Sequence, residues 1–206
     1  MRAIVYVDGF NLYFGAIRGT PYKWLDLSRL CAALLPTDEV VKIRYFTARI
    51  GDRGQDADKP LRQQVYLRAL RTLEPLVSLH YGRYLTSKTR AAVVTPPPRT
   101  IEVWKTEEKG SDVNLGTYML LDAFDDRMEL AVVVSNDSDL LTPIRVVRHR
   151  FGLPVGLLNP HTVPSKVLVS AATFVKQVRA GPLSASQFPD VLLDAKGEIR
   201  RPDAWR

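Results

Sequence analysis

Two short runs of this chain, Ala3–Val7 (AIVYV) and Leu130–Val134 (LAVVV), are apolar at every position and rich in β-branched residues. A strand with one wet face alternates apolar and polar side chains. A run with no alternation suits a strand covered on both faces, as in a parallel sheet. Each run gives way at once to short polar residues: Asp8-Gly9-Phe10-Asn11 after the first, Ser135-Asn136-Asp137-Ser138-Asp139 after the second. Helical spacing is read over about Asp26–Leu35, Leu61–Leu73, Ser111–Phe124, Leu140–Arg150 and Ser165–Phe174. Further strands are read over Val40–Ile50, Val77–Leu85 and Pro154–Leu158, and Ile101–Lys105 forms a short strand or hairpin arm. Ser87–Arg99, with Pro96-Pro97-Pro98, is expected to be irregular, and residues 51–60 (GDRGQDADKP) a mobile turn-rich loop. Strand–helix units repeated in this way predict an α/β fold with a mostly parallel central sheet and helices on both faces.

The carboxyl ends of parallel strands are where such sheets bind ligands. Asp8 and the pair Asp137 and Asp139 stand there, and Asp112 lies in KGSDVNLG at the mouth of an apolar helix. Carboxylates gathered at buried strand ends repel one another unless a cation meets them. The charge distribution agrees. Residues 110–141 hold seven acidic groups and one basic, whereas 42–109 hold fourteen basic and seven acidic, and 142–206 ten basic and four acidic. An acidic centre between basic segments suits a polyanion held near metal ions, although a basic surface also serves solubility alone.

Each motif has a duller explanation. Asp8-Gly9 is a common turn signal, and Asp112 suits the first turn of any helix. A helix cap claims Ser138 or Asp139 and leaves Asp137 unexplained. Asn11 is placed to reach a phosphate, a sugar hydroxyl or a bound water, and Ser135 to orient a carboxylate. Lys109 and Gly110 are placed to let a phosphate approach. Asp122, Asp125 and Asp126 are expected to face solvent at a helix end. Tyr13, Phe14, Tyr22 and Trp24 read as core or rim packing, with base stacking as the alternative.

Other chemistries lack their residues. Cys31 is the only cysteine, in an apolar helical pattern, so it reads as a buried inert thiol and no internal disulfide forms. His80, His149 and His161 show no metal-binding spacing, and there is no GxxxxGK[ST], GxGxxG or GxSxG. No apolar stretch reaches the roughly 18 residues of a membrane span and no signal peptide is recognised. A cytoplasmic protein without membrane association is expected, with a homo-oligomer left open.

VDGFN, KGSDV and SNDSDLLTPIRVVRHRFGLPVGLL, in that order, resemble the NYN domain, of the LabA-like group in the PIN-like nuclease superfamily. The likeness covers roughly residues 1–175. Asn136 replaces a usual glycine and Leu140 a frequent phenylalanine, and neither change removes a carboxylate. The resemblance implies a Rossmann-like three-layer α/β/α sandwich over residues 1–178, followed by a C-terminal tail over 179–206. It also implies metal-dependent cleavage of RNA, with Asp8, Asp112, Asp137 and Asp139 as the acidic site and Asn11 in support. One or two Mg²⁺ or Mn²⁺ ions are expected there, activating water for in-line attack and leaving a 5′-phosphate and a 3′-hydroxyl. Arg49, Arg53 and Arg83 are candidates to track the RNA backbone. The competing expectations are a non-catalytic RNA-binding module of the same fold, and an enzyme for a small phosphorylated or heterocyclic molecule.

Overall fold

A computed structural model describes residues 1–51, 58–95 and 97–206. Its centre is a six-stranded sheet: β1 (Arg2–Asp8), β2 (Glu39–Thr47), β3 (Val77–Tyr81), β6 (Leu130–Val134), β7 (Val155–Asn159) and β8 (Phe174–Gln177). Their order is β3-β2-β1-β6-β7-β8, and every neighbouring pair is parallel. From β1 the chain winds outward through β2 and β3. It then returns to the other side of β1 and winds the opposite way through β6, β7 and β8. The reversal falls between β1 and β6, where a crevice opens at the strands' carboxyl ends.

Strict side-chain alternation on the two central strands builds two cores. Ala3, Val5 and Val7 face one side with Leu130, Val132 and Val134, covered by α2 (Leu27–Leu34) and α3 (Lys59–Arg71). Ile4 and Tyr6 face the other with Ala131 and Val133, covered by α4 (Ser111–Phe124), α5 (Leu141–Arg150) and α6 (Lys166–Ala171). The result is the three-layer sandwich. Cys31 lies in the first core, where burial and then the Asp26 charge push its thiol up to about 12, consistent with an inert group.

Three segments depart from the sequence reading. The strand expected over Val77–Leu85 is two strands, because the chain swings out at Gly82. A Cβ there would stand 2.7 Å from the Lys109 carbonyl, so only glycine lets the strands cross. Beyond it, β4 (Arg83–Ala92) and β5 (Thr100–Lys109) form an antiparallel ribbon of their own, including much of the segment expected to be irregular. The helix expected to continue through Phe174 stops at Ala171, and Phe174–Gln177 is instead the sheet's outer strand. The loop at 51–60 lies mostly outside the described residues.

Asp122 does not face solvent. It is fully buried beneath β1 and β2, where Arg44 grips it with two bonds of 2.6 and 2.7 Å and the Tyr6 hydroxyl donates a third at 2.8 Å. Asp125 and Asp126 are exposed as expected. After residue 178 the chain adds α7 (Ala180–Ala185) and a small hairpin of β9 (Val191–Asp194) and β10 (Gly197–Arg200). Leu183, Phe188 and Ile199 from this stretch enter the first core. Among the described residues no helix is long and apolar enough to cross a membrane.

Candidate functional site

The crevice between β1 and β6 is a cleft of about 220 Å³ lined by Asp8, Asp112 and Asp137 together with Phe10, Asn11, Phe14, Tyr84 and Glu108. Three parts of the chain thus bring carboxylates to one place: the end of β1, the start of α4 and the loop after β6.

Asp8 is the most constrained of them. Its Oδ1 accepts the backbone N–H groups of Phe10 and Asn11, capping α1 (Gly9–Leu12). Its Oδ2 accepts the Asn11 amide at 2.8 Å and the Ser135 hydroxyl at 3.0 Å. Asp8-Gly9 therefore makes the turn, and the same carboxylate lines the cleft. Burial nonetheless raises its pKa, against the lowering pull of those hydrogen bonds, and Asp137 adds to the rise.

Ser135 is buried and works in two directions, since its oxygen also accepts the Asp137 N–H at 3.1 Å. Asp137 itself caps the following turn, accepting the Asp139 N–H at 3.0 Å. The cap is thus the residue that the sequence reading left unexplained. Asp139 is exposed and lines a second groove, of about 440 Å³, that Asp112, Glu108 and Lys109 share.

Asp112 sits in the first turn of α4, entered through Gly110 at φ 97°, a left-handed conformation that suits glycine. Among the described residues its carboxylate makes no hydrogen bond or ion pair. Burial, then the charges of Asp8, Asp137, Glu108 and Asp139, raise its pKa to about 6. The folded value lies above the unfolded one, so stability is lost as pH rises from about 4 to about 6 and stays lost above it. Asp112→Asn should therefore stabilise the metal-free protein at pH 7, by on the order of 1 kcal/mol after allowing for solvent screening, and should be near neutral at pH 4. Denaturant midpoints at the two pH values measure the difference.

The basic candidates are more dispersed. Lys109 lies in the second groove and pairs with Glu107 at 3.3 Å. Arg49 lies over the Tyr81 ring, Arg83 is exposed at the start of β4, and Arg53 falls outside the described residues. Of the early aromatics, Trp24 is core and Tyr13 and Tyr22 pack against it, whereas Phe14 is 52% exposed and lines the cleft.

Besides Tyr84 of β4, which lines the cleft, two side chains escaped the sequence reading. Glu108 enters the cleft from β5 and accepts both the N–H and the hydroxyl of Ser111. His161 meets the Asn11 carbonyl oxygen at 3.1 Å; that oxygen also accepts the Asn136 N–H, so the contact requires His161 to donate. Glu108 stands beside KGSDV in a charged run, KTEEK, that gives no sign of which carboxylate turns inward, and His161 arrives from a loop remote from the acidic motifs. His80 is remote from this chemistry: it stacks on Phe46, and burial followed by the Arg44 and Lys42 charges lowers its pKa to about 4.

Oxygen-only donors suit a hard divalent cation. Among the described residues no three acidic, histidine or cysteine side chains form a ready-made cage. Mg²⁺ needs none, since it is commonly held by one or two carboxylates and several waters. Asp112 and Asp137 have oxygens free for that role. Asp8 would have to release a hydrogen bond to join them.

A family model of the NYN domain matches residues 2–178. Over 236 aligned positions, spanning 100% of this chain and 75% of the relative, the sequence is 31% identical to 6-hydroxy-3-succinoylpyridine 3-monooxygenase HspA of Pseudomonas putida (strain DSM 28022 / S16). A Vibrio parahaemolyticus protein of unknown function has a similar fold, with a TM-score of 0.57 at 17% identity over 87% of this chain and 93% of that one. A match over nearly the whole described sandwich makes this chain a member of the NYN domain family.

Proposed function

We propose that this protein is a metal-dependent endoribonuclease. The observation that carries the reading is the gathering of Asp8, Asp112 and Asp137 in one open, aromatic-lined cleft at the sheet's reversal point. Three converging carboxylates facing a polyanion make physical sense when divalent cations stand between them.

In this reading Asp112 and Asp137 hold Mg²⁺ or Mn²⁺, with Asp139 reaching it directly or through water. Bound there, the ion supplies positive charge to the scissile phosphate and lowers the pKa of water. Asp8, kept rigid by Asn11 and Ser135, fixes the floor of the cleft and its negative charge. Phe10, Phe14 and Tyr84 offer ring faces to the flanking bases, and Lys109 offers its ammonium to a phosphate.

A second reading has specific support from the monooxygenase relative, which matches over 75% of its length: an enzyme acting on a small hydroxylated heterocycle. The same three aromatic rings would then stack on one heteroaromatic ring instead of on bases. One panel separates the two. Purified protein is incubated with Mn²⁺ and single-stranded RNA, and separately with hydroxypyridines, oxygen and a reduced nicotinamide or flavin donor. The nuclease reading expects metal-dependent RNA fragments bearing 5′-phosphates. Donor-dependent oxygen uptake with intact RNA would replace it by the second.

A further inference from the structure

We propose that His161 is a positioning residue for the acidic cleft, acting through Asn11 to hold the buried Asp8 carboxylate in one orientation. The hydrogen-bond chain stands on its own geometry, and its consequence for turnover rests on the nuclease reading.

Asn11 is the middle link. Its side-chain nitrogen donates to Asp8 Oδ2 at 2.8 Å, and its oxygen accepts the Asn136 N–H at 3.2 Å and His161 Nε2–H at 3.1 Å. An amide turned end for end would set an oxygen against the carboxylate and its NH₂ group against two donors. Those two donors therefore decide which end of Asn11 faces Asp8. Asp8 is only 3% exposed and shares the cleft with Asp112 and Asp137, so its charge needs donors that do not swing away. Two of its four donors are backbone N–H groups fixed by the turn, and the other two can rotate: the Ser135 hydroxyl and the Asn11 amide. Ser135 is tied by the Asp137 N–H that it accepts. His161 ties the amide.

The loop after β7 delivers the imidazole to that point. Buried Asn159, at the end of β7, accepts the His161 N–H at 3.2 Å and donates to the His161 carbonyl at 2.6 Å. Gln177 of β8 donates to the same carbonyl at 2.8 Å. Further along, the Asn136 side chain closes on the loop, donating to the Val163 carbonyl at 3.0 Å and accepting the Ser165 N–H at 2.6 Å. The ring packs over Gly15, where a Cβ would stand 2.6 Å from the imidazole, so glycine gives the ring its place. The outcome of these contacts is one N–H aimed at an amide whose other end meets Asp8.

The test separates position from chemistry. In full-length protein without metal, long-range ¹H–¹⁵N NMR should find a proton on His161 Nε2. His161→Ala should speed solvent exchange of the Asn11 side-chain amide protons roughly tenfold. His161→Gln, whose terminal NH₂ can stand near the Nε2 position, should restore protection, and the shorter His161→Asn should not. Single-turnover cleavage of RNA with Mn²⁺ should fall about 10–100-fold in His161→Ala and His161→Asn at unchanged RNA affinity, and recover in His161→Gln. In an Asn11→Ala background His161→Ala should cost nothing more, because the link it acts through is already gone. Matching circular dichroism confirms that the variants are folded. An equal further loss in that background, a glutamine variant no better than alanine, or Asn11 amide protons indifferent to all three substitutions overturns the proposal. The nuclease reading fails separately: intact RNA in the parent with Mn²⁺ sinks the chemistry and leaves the amide exchange to decide the positioning. Cleavage by the parent that His161→Ala does not slow overturns the positioning and leaves the nuclease.

Discussion

Asp137→Asn should remove metal-dependent cleavage of single-stranded RNA while leaving its affinity intact or slightly improved. The loss should be on the order of 10³-fold or more in turnover, as when a group that stabilises transition-state charge is removed. The asparagine can still accept the Asp139 N–H that Asp137 accepts now, so the local turn survives. Only the charge is deleted. Asp112→Asn should behave likewise, because that carboxylate has no structural partner among the described residues to lose. Asp8 is a poorer probe, since its four accepted hydrogen bonds would be disturbed together with the chemistry. Single-turnover cleavage with Mn²⁺, paired with binding in metal-free buffer, checks both halves. Variants that cut as fast as the parent would remove Asp112 and Asp137 from the mechanism.

Asp122→Ala should cost about 3–5 kcal/mol of stability, enough to unfold much of the protein near physiological temperature. The substitution strands the Arg44 guanidinium, of which only a tenth of the side chain is exposed, beneath the sheet without its counter-ion. It also removes the acceptor of the buried Tyr6 hydroxyl, leaving the Met128 sulfur at 3.3 Å as its weak remaining partner. Arg44→Met with Asp122→Leu should recover much of the loss, because a buried pair replaced as a unit leaves no orphaned charge. Urea midpoints for the single and double variants measure both effects. Equal stability of Asp122→Ala and parent would contradict the buried-pair account.

How legible the molecule was in its sequence depended on whether the controlling physics was local. LAVVV and AIVYV announce doubly covered strands, and Ser111–Phe124 announces its helix, because burial leaves a pattern in neighbouring residues. The four aspartates follow from those strands and that helix. The ribbon was half hidden: Ile101–Lys105 was read as a strand or hairpin arm, but β4 has no continuous apolar face to set its period, and the prolines of the connection to β5 made the stretch before it read as irregular. The outer strand β8 was hidden for a similar reason, with Val175 and Lys176 exposed at the sheet's edge. Asp122 misled because its partner Arg44 lies 78 residues away, and three aspartates at a helix end resemble a solvated terminus. Glu108 was missed because the charged run beside KGSDV does not show which carboxylate turns inward, and His161 because it reaches Asn11 from a loop 150 residues away.

The last segment of the chain closes the molecule. Trp205 lies against Trp24 and Tyr66 at ring distances of 6.3 and 6.1 Å, the Trp24 indole donates to the Pro189 carbonyl, and Arg68 of α3 holds Asp194 across the surface. A boundary drawn after residue 178 therefore cuts through a packed seam, not a linker. A fragment ending there would carry a raw aromatic wound, and its insolubility would say nothing about whether the sandwich can work as an enzyme. Any excised version of this protein needs its final hairpin, or an apolar-to-polar repair of Trp24 and Tyr66, before its activity is judged.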